Sequence, residues 1–500
     1  MRLERTAVTH LSTETLHQLA PETVIPTYDR SAVRVGIAHF GVGNFHRSHE
    51  AVYVDRCLHL PGNEGWGIVG IGISDTAASR EKAAAFHRQD GLYTLTEFAP
   101  DGSSHSRVIG SIVSYLHAPT NPEAVLDQLT EPNVRIVSLT ITEGGYNLDE
   151  STKEFVLTNP DVQADLAGNP PRTVFGFIAT ALARRRANGI EPFAVISCDN
   201  LRHNGDTARK AILGYAAAID LDLAAWIAEH VSFPNAMVDR IAPYVSATDR
   251  DRLNSATGVE DLIPVMSESY LQWVLQDHFP AGRPDLGDVG VQLREDVTLF
   301  ETVKGRLLNA SHVLLSYPAL LMGYRLVHDA MADQGLRGLL DIFMEHDVLP
   351  LLIEPEGVSL PDYKNLILDR FANPAVGDQL IRIATDGSAK IPVFHSQTIT
   401  ELINGGKVLE REAFLFACYD RYLAGTDDNG EPLGTTEPSL SRNDRDGLDA
   451  ADGLGLLRVA AFSTLDLPNS PSFVSSYIHL RASIARDGTT KTLSTMLGSV

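Results

Sequence analysis

The sequence predicts an α/β fold: a mostly parallel sheet with helices on both faces, followed by a largely α-helical C-terminal domain. Three observations predict it. Short apolar, β-rich runs alternate with helical stretches through the first half of the chain. A glycine turn follows the first of these runs directly. Beyond residue 290 strand signals nearly vanish, and long apolar helical patterns take over.

Taken in order, residues 1–30 read as a helical, partly loose extension, with Ser12 placed to cap a short helix through Leu16 and Leu19. Val33–Ala38 reads as the first buried strand, and Arg47–Leu58 as the helix after its turn. Trp66–Ile71, Val134–Leu139 and Phe193–Cys198 are further strand-like runs, with a helix over Thr173–Arg186 between the last two. Pro280–Gly290 is rich in Pro, Gly and Asp and reads as a linker, which divides the chain into domains of 1–285 and 286–500. Helical, apolar stretches follow over Lys304–Leu326, Leu336–Asp347 and Ala375–Thr385. Residues 425–452 are polar and read as a long solvated loop.

Bulk properties narrow the function classes. A chain of 500 residues buries a large core without disulfide or metal staples. With 64 acidic and 41 basic side chains the formal charge is −23, which disfavours nucleic acid and anionic membrane surfaces as partners. Cys57, Cys198 and Cys418 lie far apart, as suits a reducing compartment. The N-terminus shows no apolar signal core and no apolar run is long enough to span a bilayer, so the expected location is cytoplasmic.

Gly41-Val42-Gly43-Asn44-Phe45-His46 has the position of a dinucleotide-binding turn, after a strand and opening a helix. His46 stands where a third glycine is usual. Asp75, after the second strand, is the candidate for holding the adenosine ribose, although it lies further from the glycines than the usual ~20 residues. A carboxylate there favours NAD over NADP; Arg80 nearby blurs that preference.

The stretch Glu301–His312 carries the most chemistry. In an ideal helix, with Lys304 at zero, Glu301 falls near ~60°, His312 near ~80° and Asn309 near ~140°. A charged and polar stripe then lies within an otherwise apolar helix, which is costly unless paired or useful. Alcohol oxidation suits it. A desolvated lysine can take the hydroxyl proton, an amide can stabilise the developing oxyanion, a histidine can hold a neighbouring hydroxyl, and Glu301 can pass the proton to water. A buried salt bridge at Lys304, with Asn309 and His312 bonded to backbone, remains the structural alternative.

The spacing Lys304-x4-Asn309-x2-His312 resembles the signature of the polyol-specific long-chain dehydrogenase/reductase family. The similarity extends to Gly41–Arg47, Thr142–Tyr146, Ser197–Asn200, Phe233–Arg240, Trp273–Asp277 and Asp386–Pro392. The resemblance implies a Rossmann-type N-terminal domain and a helical C-terminal domain, with the active site between them and no zinc. It implies Lys304 as general base, Asn200 and Asn309 as an oxyanion hole, and His312, Asp239 and Arg382 as the grip on substrate hydroxyls. Glu301 resembles the residue gating proton exit, and Gly41, Val42, Gly43, Asn44 and Phe45, with Glu143 and Asp75, the cofactor-binding set.

Other constellations point elsewhere less well. His39, His46 and His49 cluster near the turn, but no cysteine or carboxylate set completes a metal site, so none is expected. None of the 14 tyrosines is followed by lysine four residues on, and Gly-x-Ser-x-Gly is absent. The expected activity is NAD-dependent oxidation of a sugar alcohol, D-mannitol to D-fructose. Arabinitol oxidation and hexuronate (fructuronate or tagaturonate) reduction are alternatives within the family, the latter drawing on Arg382 or Lys390 for the carboxylate. A non-catalytic NAD-binding regulator is the alternative of another class. The expected partners are a small polyol or ketose, and the resemblance points to a monomer.

Overall fold

The computed structural model describes residues 9–149 and 152–498; part of the N-terminal extension therefore lies outside the described residues. The chain forms two compact units that part between Thr298 and Leu299, with Pro100–Gly102 belonging to the second.

The first unit is built on five parallel strands: β1 (Val35–Phe40), β2 (Gly67–Gly72), β5 (Ile112–His117), β6 (Ile136–Leu139) and β7 (Ala194–Ser197). Their order in space is β5-β2-β1-β6-β7, so the direction of winding reverses between β1 and β6. Alternate side chains serve two cores. Phe40, Val69, Ile71, Val137, Leu139 and Val195 pack on one face with the helix α3 (Val174–Ala187). Ile37, Ile68, Ile136 and Ile196 pack on the other with α2 (Glu50–Leu58), Trp66 and Phe86. Burial on both faces explains why these strands read as continuous apolar runs. Thr173, whose hydroxyl accepts from Gly176 N–H, caps α3.

Two small sheets complete this unit. One orders as β4 (Ser104–Ile109), β3 (Tyr93–Phe98) and β9 (Val265–Glu268); the other as β11 (Gln292–Arg294), β10 (Gln272–Gln276) and β8 (Ala236–Asp239). The helix expected over Arg47–Leu58 is two helices, α1 (Asn44–Ser48) and α2, broken at His49, whose φ −120°, ψ −92° is not helical. Leu11 and Leu19 pack with Leu92, Val108 and Val259, so the described part of the extension is fixed rather than loose. Within Pro280–Gly290, Leu286 is buried and Asp285 bonds Asn63, which packs the segment into the first unit.

The second unit is helical. Where the sequence suggests one helix from Lys304 to Leu326, the chain makes α4 (Thr298–Lys304), a π turn (Gly305–Asn309) and α5 (Ala310–Leu321). Every residue of α5 is buried, including Leu314, Leu315, Leu320 and Leu321, as expected of a helix apolar all round. Gly323, at φ +94°, ends it. Around it stand α6 (Leu360–Phe371), α7 (Leu380–Ala384), α8 (Gly387–Asn404) and α9 (Glu410–Leu423). Of Ala375–Thr385 only α7 is helical.

Residues 425–452 are mostly exposed, as expected, with a short helix over Arg442–Gly447, but buried acids tie the segment down. Buried Glu437 accepts from the N–H groups of Gly387 (3.1 Å) and Ser388 (3.2 Å), and from the Tyr419 hydroxyl. Buried Asp427 pairs with Arg325 at 3.0 Å. A polar composition hid these anchors, because Glu437 serves backbone donors at the start of α8 and Asp427 a distant arginine.

Candidate active site

In the first unit, the expected cofactor residues and the expected oxyanion-hole residue Asn200 gather at the C-terminal edge of the five-stranded sheet. Gly41–Phe45 follows β1, Asp75 follows β2, Glu143 follows β6 and Asn200 follows β7. The reversal between β1 and β6 opens a crevice of the kind that holds nucleotides in doubly wound sheets.

The turn is shaped by its neighbours. Gly41 has φ +93°, and a Cβ there would lie 1.9 Å from the Thr140 carbonyl oxygen, so backbone packing demands glycine. Gly43 is different: an added Cβ meets nothing closer than 3.7 Å, leaving open space. The turn's carbonyls are all engaged, Gly41 by the Thr140 hydroxyl (2.5 Å), Val42 by Lys82 (3.2 Å) and Gly43 by Arg47 (3.3 Å). Asn44 donates to Pro243 O and accepts from Arg47, and Phe45 stacks on His49. These contacts fix the turn before any ligand arrives.

Asn200 follows a structural aspartate. Asp199 accepts from the N–H groups of Ile141 (3.0 Å) and Thr142 (2.9 Å) and from the Tyr146 hydroxyl (2.7 Å). It thereby holds the Glu143–Tyr146 turn beside β7, and burial pushes its carboxyl above the usual range. Sequence reading passed over Asp199 in favour of its neighbour. Asp75 is exposed and ion-paired with Arg80. Asp239 ends β8 and is buried. The next residue, Arg240, is clamped to Ser48 O (2.5 Å), to Glu268 O (3.0 Å) and to Glu97.

The histidines near the turn assemble differently from expectation. The trio that meets is His39, His46 and Glu50, the one group among the described residues with metal-ligand proximity. The His39 and His46 rings stack at 3.4 Å, 13° from parallel, so a metal in the plane of one lies well out of the plane of the other. His39 is already engaged by the hydroxyls of Ser138 (2.8 Å) and Thr140 (2.9 Å). Burial, reinforced by neighbouring His39, Arg47 and His49, holds His46 neutral, well below the ordinary histidine pKa. His49 instead reaches Gln272 O at 2.9 Å.

In the second unit, Glu301, Lys304 and His312 are buried, and Asn309 is half-buried. The π turn corrects their expected placement. Ala310 N–H bonds Gly305 O, five residues back, so the turn absorbs one residue. At ~100° per remaining residue, Asn309 then falls near ~40° and His312 near ~−20° from Lys304, with Glu301 still near ~60°. The four side chains occupy an arc of about 80° instead of about 140°. His312 lies against Phe371 at the end of α6, a partner that sequence reading missed.

Arg382 sits on α7, mostly exposed, and binds Asp378 through Nε (3.0 Å) and Nη2 (2.7 Å). Lys390 donates to the carbonyls of Arg382 (3.2 Å) and Ile383 (3.0 Å), capping that helix.

Residues 35–288 match the mannitol dehydrogenase Rossmann domain, and residues 296–492 the mannitol dehydrogenase C-terminal domain. A polyol:NADP oxidoreductase of Gluconobacter oxydans is 48% identical over 90% of this chain and 93% of its own. A mannitol 2-dehydrogenase of Phaeosphaeria nodorum is 41% identical over 97% of this chain and 85% of its own. Among solved structures, the mannitol 2-dehydrogenase of Pseudomonas fluorescens in ternary complex with NAD and D-mannitol is 44% identical. It has a TM-score of 0.89 and covers 98% of this chain and 100% of that one. A substrate-free D-sorbitol dehydrogenase is 45% identical with the same TM-score, covering 97% of this chain and 100% of that one. Among the described residues no helix is long and apolar enough to cross a membrane.

Proposed function

The chain belongs to the mannitol dehydrogenase family, and from that premise we propose that it oxidises a secondary alcohol of a sugar alcohol with NAD, D-mannitol to D-fructose foremost. The observation that carries this reading is the polar arc of buried Lys304 and His312 and half-buried Asn309, gathered by the π turn.

The turn fits a dinucleotide. Gly43 lacks any packing reason to be glycine, and the space a Cβ would fill is left open beside a rigid turn. Gly41–Phe45, Glu143 and Asp75 would hold NAD, which supplies the acceptor for the carbinol hydride. Asp75 at the end of β2 supports NAD over NADP, because a carboxylate repels a 2′-phosphate. The Gluconobacter relative is named for NADP, and Arg80 beside Asp75 is the group that could serve that cofactor.

Lys304 acts as the general base and takes the hydroxyl proton as the carbonyl forms. The amides of Asn200 and Asn309 donate to the oxygen as it gains charge. His312, Asp239 and Arg382 hold neighbouring hydroxyls, and Glu301 relays the proton outward. Hexuronate reduction is less well supported: Lys390 caps α7, and the charge of Arg382 is already paired with that of Asp378, which weakens its pull on a carboxylate more than its donation to a hydroxyl.

Initial rates with mannitol, arabinitol, sorbitol and mannonate, each with NAD and NADP, test the reading. Mannitol with NAD is expected to give the highest kcat/KM. Turnover of mannonate without turnover of mannitol would replace it with the hexuronate reading. NADH binding without any turnover would leave a regulator.

A further inference from the structure

The π turn between Lys304 and Ala310 is gripped by one face of α8. His395, Thr398 and Glu401 follow one another at three-residue spacing and so point the same way. Buried His395 sets Nε2 3.1 Å from the Ala310 carbonyl oxygen. A carbonyl only accepts, so Nε2 carries the hydrogen and donates it. The other ring nitrogen faces both carboxylate oxygens of buried Glu412 on α9, at 2.9 and 3.1 Å, which orients the imidazole. Thr398 Oγ1 accepts from Arg306 Nε at 2.9 Å, and Glu401 pairs with Arg306 Nη2 at 2.8 Å. Arg306 lies inside the turn and Ala310 just beyond it, so both of its ends are pinned to the same helix.

We propose that His395, with Glu412, and the Thr398–Glu401 pair are positioning residues for the alcohol-oxidising arc: they hold the π turn open and so set Asn309 and His312 in register with Lys304. The proposal rests on the reading of that arc as the catalytic site. A π turn is rare and needs a cause. Gly305 itself packs against nothing, with no neighbour within 4 Å of where its Cβ would be. The buried polar contacts from α8 supply the cause. If the turn relaxed to regular α-helix, Asn309 and His312 would rotate by about 100° relative to Lys304. Displacements far smaller than that cost on the order of 100-fold in rate.

The test uses the full-length protein with NAD and mannitol. H395L is made together with E412Q, so that no carboxylate is left buried without its partner. The expected result is a kcat at least ~10-fold lower, with NADH affinity within about twofold of wild type and a cooperative thermal melt. H395Q, whose amide can still donate to Ala310 O, is expected to recover most of the kcat. T398V with E401Q removes the second grip without touching the first, and decides the matter should the His395 variants fail to fold. A selective loss of kcat in that pair supports the proposal. Folded variants of either pair that keep kcat within about twofold overturn it. Lys304→Ala separates the two readings: if that change abolishes turnover while the α8 variants do not affect it, only the positioning role fails.

Discussion

The imidazole of His312 lies flat on the ring of Phe371, with centroids 3.7 Å apart and planes 3° from parallel. The stack fixes the plane of the ring. Such a pair contributes about 0.5–1.5 kcal/mol beyond its buried area. Phe371→Leu keeps most of the volume and removes the platform. The expected result is a polyol KM raised by about 2- to 10-fold, with NAD affinity unchanged. A change confined to the NAD KM would contradict a role for His312 in gripping substrate.

The two glycines of the turn make opposite predictions. Gly41→Ala forces a side chain into the Thr140 carbonyl at positive φ, and is expected to lower the melting temperature markedly. Gly43 has extended backbone, φ −91° and ψ −172°, which alanine adopts freely. Gly43→Ala is expected to fold with near wild-type stability and to lose NADH affinity. Wild-type NADH binding in that variant, measured by fluorescence titration, would remove the turn from the cofactor site.

Asp75 and Arg80 form an exposed ion pair at the end of β2. Pairs so exposed contribute little to stability, so either residue can be changed with the fold intact. Asp75→Ala is expected to narrow the NAD over NADP preference by freeing Arg80, and Asp75→Ala with Arg80→Ala to weaken NADP again. Unchanged selectivity in both variants would place the adenosine ribose elsewhere.

Asn309 tests the oxyanion role. Asn309→Ala is expected to lower kcat by about 100- to 1000-fold, the usual cost of removing one such donor, with polyol KM little altered. A raised KM at unchanged kcat would make Asn309 a ground-state binding residue.

Much of the first unit was legible in the sequence. β1, β2, β6 and β7 are buried on both faces and announce themselves as apolar runs. The smaller strands were not. β4 is Ser-His-Ser-Arg-Val-Ile with an exposed start, β8 and β9 end on the acids Asp239 and Glu268, and β11 is only Gln-Leu-Arg. In the second unit the polar stripe was legible but its geometry was not. Lys304, Asn309 and His312 are residues of one segment, whereas the π turn that aligns them is tied to His395, Thr398 and Glu401 almost a hundred residues away. Phe371 was hidden for the same reason: a stacking partner supplied by another helix has no local signature.

The most direct test of the central claim is Lys304→Ala, assayed for mannitol oxidation with NAD across pH alongside NADH binding. A general base contributes about 100- to 10,000-fold. The expected result is a kcat lower by that order, with NADH affinity and the melting temperature preserved. Turnover equal to wild type in the folded variant would contradict the assignment of Lys304 as the base.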